Sequence, residues 1–221
     1  VRRRHGEIIA TFTTRNGYSL TMTLRISRIL HAGYVFECDG TRIAFDPIFE
    51  NPFSTNCHAF PDVRFDHEQI RRERFDAIFI SHFHDDHCSL DSISLLDRST
   101  PIHIYCLFDE LFDMVRALGF VNLYKLETNV AVKMGPFVVI PREALDSDVD
   151  SMFQIRAGGI NVLNVVDSWI SPVALAELVT FTWAAGDLSN VRGIERVPGG
   201  TVLTIPLQGG PVVRRRFCDV L

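Results

Sequence analysis

The residues most able to do chemistry sit together in Ser81-His82-Phe83-His84-Asp85-Asp86-His87. Three histidines and a candidate carboxylate ligand fall within six residues, directly after Phe75-Asp76-Ala77-Ile78-Phe79-Ile80, whose apolar run reads as a buried strand. If the extended chain continues, side chains alternate with period two, so His82 and His84 point the same way and both imidazoles can reach one ion. A turn must follow, and it lets Asp86 and His87 face a second ion beside the first. Polar groups this dense need partners. The stretch therefore reads as half of a two-metal site rather than as a polar surface loop.

A strand, then His-x-His-x-Asp-His, then a helix resembles the signature loop of the metallo-β-lactamase-fold superfamily, and His82, His84, Asp86 and His87 fill all four positions. The resemblance runs from about Gly33 to about Pro211. It implies an α/β fold of the αββα type, two mixed β-sheets flanked by helices with the metals at one edge, and one domain over residues 1–221. Asp46, in Phe45-Asp46-Pro47, matches a superfamily Asp that lies under the metal loop and orients a ligand histidine through its second ring nitrogen. A carboxylate so placed fixes the tautomer and basicity of the imidazole; on its own residues, Asp46 also suits a turn before proline. Asp167, in Val165-Val166-Asp167-Ser168-Trp169, matches the carboxylate that bridges both ions, and it also precedes an expected helix over residues 171–180, where an Asp or Ser would cap. The resemblance makes Asp86 and Asp167 catalytic as well as metal-bound.

Two departures from the superfamily pattern stand out. Its hydrolases usually place a third histidine after a strand like Phe137-Val138-Val139-Ile140, but residues 141–150 contain none. Glu143 is the residue best placed to substitute, with Asp146, Asp148 and Asp150 competing, and an acidic surface loop is the plain alternative. The superfamily also supplies a last histidine to the second metal from a loop near the end, and no histidine follows Asp167. Gln208 is a poor replacement. An open second site, a swing of His58, a role for Asp187, a ligand in sequence beyond this chain and an empty second site all stay open.

The resemblance implies a metal-dependent hydrolase with two divalent ions, zinc being the expected metal and iron or manganese the alternatives. Zinc lowers the pKa of bound water to about 7 and polarises a carbonyl or phosphoryl group, so an ester, thioester, amide, lactone or phosphodiester is the expected small-molecule substrate. A carboxylate in place of a histidine makes a harder, oxygen-richer site that suits iron or manganese. A small branch of the superfamily, diiron oxygenases with a Glu in the third-histidine position, looks similar over residues 141–151. A third reading is a degenerate scaffold that has lost a metal; the intact first motif weighs against it.

The 221 residues are enough for one sizeable core. A formal net charge of −5 and a pI near 5.9 argue against an electrostatic grip on nucleic acid or an anionic membrane. Arg2-Arg3-Arg4 and Arg214-Arg215-Arg216 read as solvated chain ends. Five scattered cysteines without a Cys-x-x-Cys pair point to reduced thiols in a cytoplasm, and Cys88 to packing at a helix start. No apolar run approaches the roughly twenty residues a membrane span needs. The sequence starts at Val1 without an initiator Met, which is compatible with a trimmed chain.

Several elements must position the motif. Residues 7–14 and 19–26 around Asn16-Gly17, and residues 33–38 and 41–45 around Asp39-Gly40, predict two hairpins, the second ending at Asp46. Residues 51–63 read as a long loop leaving from the Asp46 end, near the metals, from which His58 or Phe53 could touch substrate; for His58 the alternative is an ordinary surface histidine. Helices are predicted over residues 66–74, 89–96 and 109–118, the last closed by Gly119. Strands are predicted over residues 101–106, 121–125, 130–133 and 137–140, and a hairpin turns at Gly158-Gly159 with its second strand ending at Asp167. His103, within an apolar strand, reads as structural.

Overall fold

The computed structural model describes residues 7–12, 22–60, 62–144, 149–167, 201–206 and 213–216. In chain order its strands begin with β1 (Glu7–Phe12), β2 (Met22–Arg28), β3 (Tyr34–Cys38), β4 (Thr41–Phe45), β5 (Ala77–Ile80), β6 (Ile102–Ile104) and β7 (Leu123–Lys125). They continue with β8 (Val132–Met134), β9 (Phe137–Glu143), β10 (Ser151–Ala157), β11 (Ile160–Asn164), β12 (Thr201–Pro206) and β13 (Val213–Arg216). Three short helices are described, α1 (His67–Ile70), α2 (Leu90–Ile93) and α3 (Asp109–Ala117).

Nine strands form a mixed sheet in the order β13-β12-β1-β2-β3-β4-β5-β6-β7, and β11-β10-β9-β8 form a second sheet, antiparallel throughout its described strands. This is the expected sandwich of two sheets with flanking helices. Both expected hairpins are present as antiparallel pairs. Asp39 and Gly40 take φ of 48° and 75°, the left-handed values that a two-residue turn matching the strand twist requires. The Asn16-Gly17 turn lies outside the described residues, as do Asp146, Asp148, Asp187, Gln208 and the helix expected over residues 171–180.

The core explains why β5 is apolar at every position. All four of its residues are buried. Phe79 faces the second sheet, in a cluster with Phe36, Phe45, Phe137 and Phe153, while Ile78 and Ile80 face the helices, in a cluster with Leu111, Phe112 and Val115. Period-two alternation thus sends consecutive residues of one strand into two different cores, and both faces are covered as parallel strands require. Emptying the Phe79 position would cost about 3–5 kcal/mol.

Register decides where the chemistry collects. Tyr34 of β3 pairs with Phe45 of β4, and Phe45 pairs in parallel with Phe79 of β5, so the β2–β3 turn, the end of β4 and the end of β5 share one edge of the sheet. Gly33 makes that turn fit, since a Cβ there would stand 2.8 Å from the carbonyl oxygen of Asp46. On the opposite sheet, Glu143 pairs with Ser151, so β9 runs on beyond Ile140 and the connection to β10 starts later than the sequence suggests. No described helix is long and apolar enough to cross a membrane.

Candidate metal centre

Asp46 is the buried hub of the site. It lies one residue past β4 with φ of 40°, a left-handed value that a non-glycine residue adopts at a cost. Its Oδ1 accepts from the Ser81 backbone N–H at 2.7 Å, and its Oδ2 accepts from the Ser81 hydroxyl at 2.6 Å and from His87 Nδ1 at 3.0 Å. Because the Ser81 hydroxyl donates its proton to Asp46, it accepts from His82 Nδ1 at 2.9 Å. Asp46, Ser81, His82 and His87 all have zero exposure, so no water competes for these bonds. One carboxylate therefore fixes the tautomer of two histidines, directly for His87 and through Ser81 for His82, and leaves both Nε2 lone pairs facing outward.

The turn after His82 is closed by the His84 carbonyl, which accepts from the backbone N–H of His87 at 2.9 Å and of Cys88 at 2.7 Å. That reversal produces two adjacent groups of ligand atoms. His82, His84 and Asp150 form the first, with His82 Nε2 3.0 Å from His84 Nδ1 and 3.5 Å from Asp150 Oδ1. His31, Asp86, His87 and Asp167 form the second. There His87 Nε2 lies 3.3 Å from His31 Nε2, 3.2 Å from Asp167 Oδ2 and 3.8 Å from Asp86 Oδ2, and His31 Nε2 lies 3.1 Å from Asp86 Oδ2. The two groups meet where the His82 and His87 rings stand 4.2 Å apart.

Electrostatics favours a cation in this place. Burial, then the charges that His87 and His84 would carry, outweigh the pull of Asp46 and Asp167 and hold the His82 pKa down to about 4, so this ring stays neutral as a ligand must. Burial also opposes charge on His87, but its hydrogen bond to Asp46 and the Asp46, Asp167 and Asp86 charges prevail and raise its pKa. Its Nε2 faces a nitrogen and two carboxylate oxygens, and one proton can satisfy only one of them. A divalent ion answers all of them at once, and the mix of imidazole and carboxylate donors suits zinc, iron or manganese. The residues present fit a metal pair.

The structure brings together His82, His84, Asp86, His87, Asp167 and Asp46, all picked from the sequence. It does not bring Glu143 there. Glu143 is exposed at the end of β9, outside both groups, because pairing with β10 carries it along the strand. Asp150, one of its competitors, takes the place beside His82, held there by its neighbour Ser151, whose buried hydroxyl donates to the Ser81 carbonyl at 2.9 Å. His58 is exposed and outside both groups. Its loop does reach the site through Phe53, whose ring stands 5.2 Å from that of His31. Cys88 is buried among apolar side chains, and burial pushes its thiol up to about 12, as for a packing residue.

His31 was missed. It sits in the β2–β3 turn with φ of 51°, its carbonyl held by the Arg28 guanidinium at 2.8 Å. The hairpin register predicted for residues 33–45 already puts the residues before Gly33 beside Asp46, and that was the signal.

Residues 25–169, well over half of the chain and including every residue of both groups, match the family model of the beta-lactamase superfamily domain. The chain belongs to that superfamily. Among solved structures, a possible metal-dependent hydrolase from Veillonella parvula is similar over 77% of this chain and 74% of its own, with a TM-score of 0.57 and 14% identity. An isothiocyanate hydrolase from Delia radicum gut bacteria is similar over 71% of this chain and 67% of its own, with a TM-score of 0.54 and 13% identity. A diiron β-hydroxylase from Streptomyces venezuelae is similar over 83% of this chain but only 34% of its own, with a TM-score of 0.53 and 17% identity. At these identities the likeness is one of fold. No curated protein matches the sequence. Superfamily membership and the His/Asp groups together make this a metal-dependent-hydrolase-like fold with residues able to bind metal.

Proposed function

We propose that this superfamily member is a hydrolase with two divalent ions, zinc foremost, acting on an ester, amide or phosphodiester of small size. The observation that carries the reading is the pair of adjacent ligand groups whose imidazole tautomers are both set by buried Asp46. His82, His84 and Asp150 would hold one ion, and His31, Asp86, His87 and Asp167 the other. Such ions supply Lewis acidity and a nucleophilic water near neutral pH. Asp46 and Ser81 keep the two buried imidazoles aimed outward with their lone pairs free. Asp167, 45% exposed, is more open than Asp86 or Asp150, and its charge is felt at both His82 and His87. It would be the carboxylate best placed to serve both ions and, with Asp86, could accept a proton from a water held there. Phe53 packs its ring against that of His31. The four described cysteines are free.

The test is turnover of p-nitrophenyl esters and bis-p-nitrophenyl phosphate by protein reconstituted with zinc, with Asp167→Asn as control. Activity that disappears in the variant supports the reading; no turnover of either substrate class with two zinc ions bound would sink it. One observation favours a second reading. Asp150 gives the group of His82 and His84 a carboxylate as its third donor, where the superfamily resemblance leads one to expect a histidine, and an oxygen-richer group suits a diiron oxygenase. Iron in the purified protein, with a near-ultraviolet charge-transfer band and O₂ uptake, would shift the assignment to that chemistry.

A further inference from the structure

A cavity of about 680 Å³ opens on the flank of the metal loop, between the chain after Phe49, α2 and the start of α3. Its volume lies in the range of roughly 300–1,000 Å³ typical of small-molecule sites. None of the seven candidate metal ligands lines it. The loop shares itself between the two places: Phe83 and Asp85 face the cavity while His82, His84 and Asp86 belong to the metal groups.

The walls specify an occupant. Phe83, Phe108, Leu111 and Met114 make an apolar side, with Phe83 and Phe108 packed edge to face at 5.2 Å. Phe108 and Met114 are 52% and 51% exposed, large apolar side chains left facing solvent on one wall. The polar side carries Glu50, Asp85, Asp91 and Glu110, and none of the fourteen lining residues is Lys, Arg or His. Glu50 takes hydroxyl donors from Ser89 and Ser92, and Asp85 takes one from Ser54, but none of the four carboxylates forms an ion pair with a described residue. An anion is repelled from such a cavity, a neutral molecule gains only the apolar wall, and a cation with an apolar body gains both walls as well as the ring faces.

We infer that this cavity binds a small organic ammonium ion carrying an aryl or alkyl body. The inference goes beyond the hydrolase reading and does not depend on it, since none of the candidate metal ligands lines the cavity. The probes are 2-phenylethylammonium, its neutral isostere 2-phenylethanol, and the anion phenylacetate, titrated into the full chain at low salt and followed by backbone amide shifts. The ammonium ion is expected to bind about tenfold more tightly than the alcohol, with the preference falling as salt rises. The double variant Asp91→Asn, Glu110→Gln, confined to exposed side chains, should shrink that preference to about twofold, and Phe108→Ala should weaken both ligands. Equal affinity for ammonium and alcohol, tighter binding of phenylacetate, or no saturable binding would overturn the inference. So would binding that survives Phe108→Ala but vanishes with a chelator, which would put the amine on the metals instead.

Discussion

Replacing Ser81 by Ala should separate the two candidate metals. The hydroxyl is the sole described link between Asp46 and His82, at 2.6 Å to Asp46 Oδ2 and 2.9 Å to His82 Nδ1. Without it, His82 Nδ1 loses its acceptor in a place with zero exposure, and Asp46 Oδ2 keeps only His87. A buried polar group left unsatisfied costs about 1–3 kcal/mol. Because 1.36 kcal/mol is a factor of ten, that range predicts a loss of about 5–160-fold in affinity for the ion at His82, His84 and Asp150, bracketing the roughly 10–100-fold common for an orienting partner of a metal ligand. The ion at His87 should be held nearly as before, because Asp46 still accepts from His87 Nδ1. Asp46→Asn should weaken both. Affinities can be read by competition with a chromophoric chelator, with far-ultraviolet circular dichroism to show that the fold persists. A Ser81→Ala protein that binds both ions with unchanged affinity, or that loses both in parallel, would refute the relay.

Further outcomes follow from other parts of the molecule. Asp150→Ala should cut the metal content of the first group while Glu143→Ala leaves it unchanged, as measured by mass spectrometry on protein purified without added metal; the reverse pattern would return the third ligand to Glu143. His31→Ala should lower the second ion's affinity by at least about tenfold, and no change would leave His31 a neighbour rather than a ligand. His103 is stacked between Phe79 and Tyr124, each 4.9 Å away, and burial holds its pKa down to about 4 from the ordinary 6.5. The unfolded chain takes up a proton that the folded one refuses, so stability is complete above about pH 6.5 and is lost as pH falls toward 4. The shift corresponds to at most about 3–4 kcal/mol. His103→Phe should remove that loss, seen as a flatter dependence of the urea midpoint between pH 7 and pH 5; an unchanged slope would contradict it.

Much of this architecture could be read from local pattern. The apolar run of β5 followed by the histidine motif, the Asp39-Gly40 turn and Asp46 at its strand end are all set by residues near one another in the chain. Where reading along the chain ran short, register was the cause. Local pattern puts Glu143 in a loop because nothing near it announces that β9 continues; its pairing with Ser151 is a property of β10. His31 is distant in sequence from every other ligand, and only the succession of β2, β3, β4 and β5 across the sheet brings it beside His87. The loop over residues 51–63 reaches His31 through Phe53, one of the two residues that the sequence offers for contact, while His58 stays exposed. Backbone strain was equally hidden. His31, Asp46 and Val166 hold positive φ of 51°, 40° and 56° around the site; His and Asp visit this region more readily than most residues, but β-branched Val166 does not. Local preference yields there to the demands of gathering ligands, as expected at functional positions.

Metal content per chain, measured by mass spectrometry alongside the visible spectrum of protein purified without added metal, tests the central claim most directly. Two ions per chain are expected, falling to about one in Asp150→Ala and to about none when His82 and His84 are both replaced by Ala together with His31 and Asp167. A protein that folds normally yet carries no metal, or whose metal content is indifferent to these replacements, would contradict the account of a dinuclear centre built on Asp46.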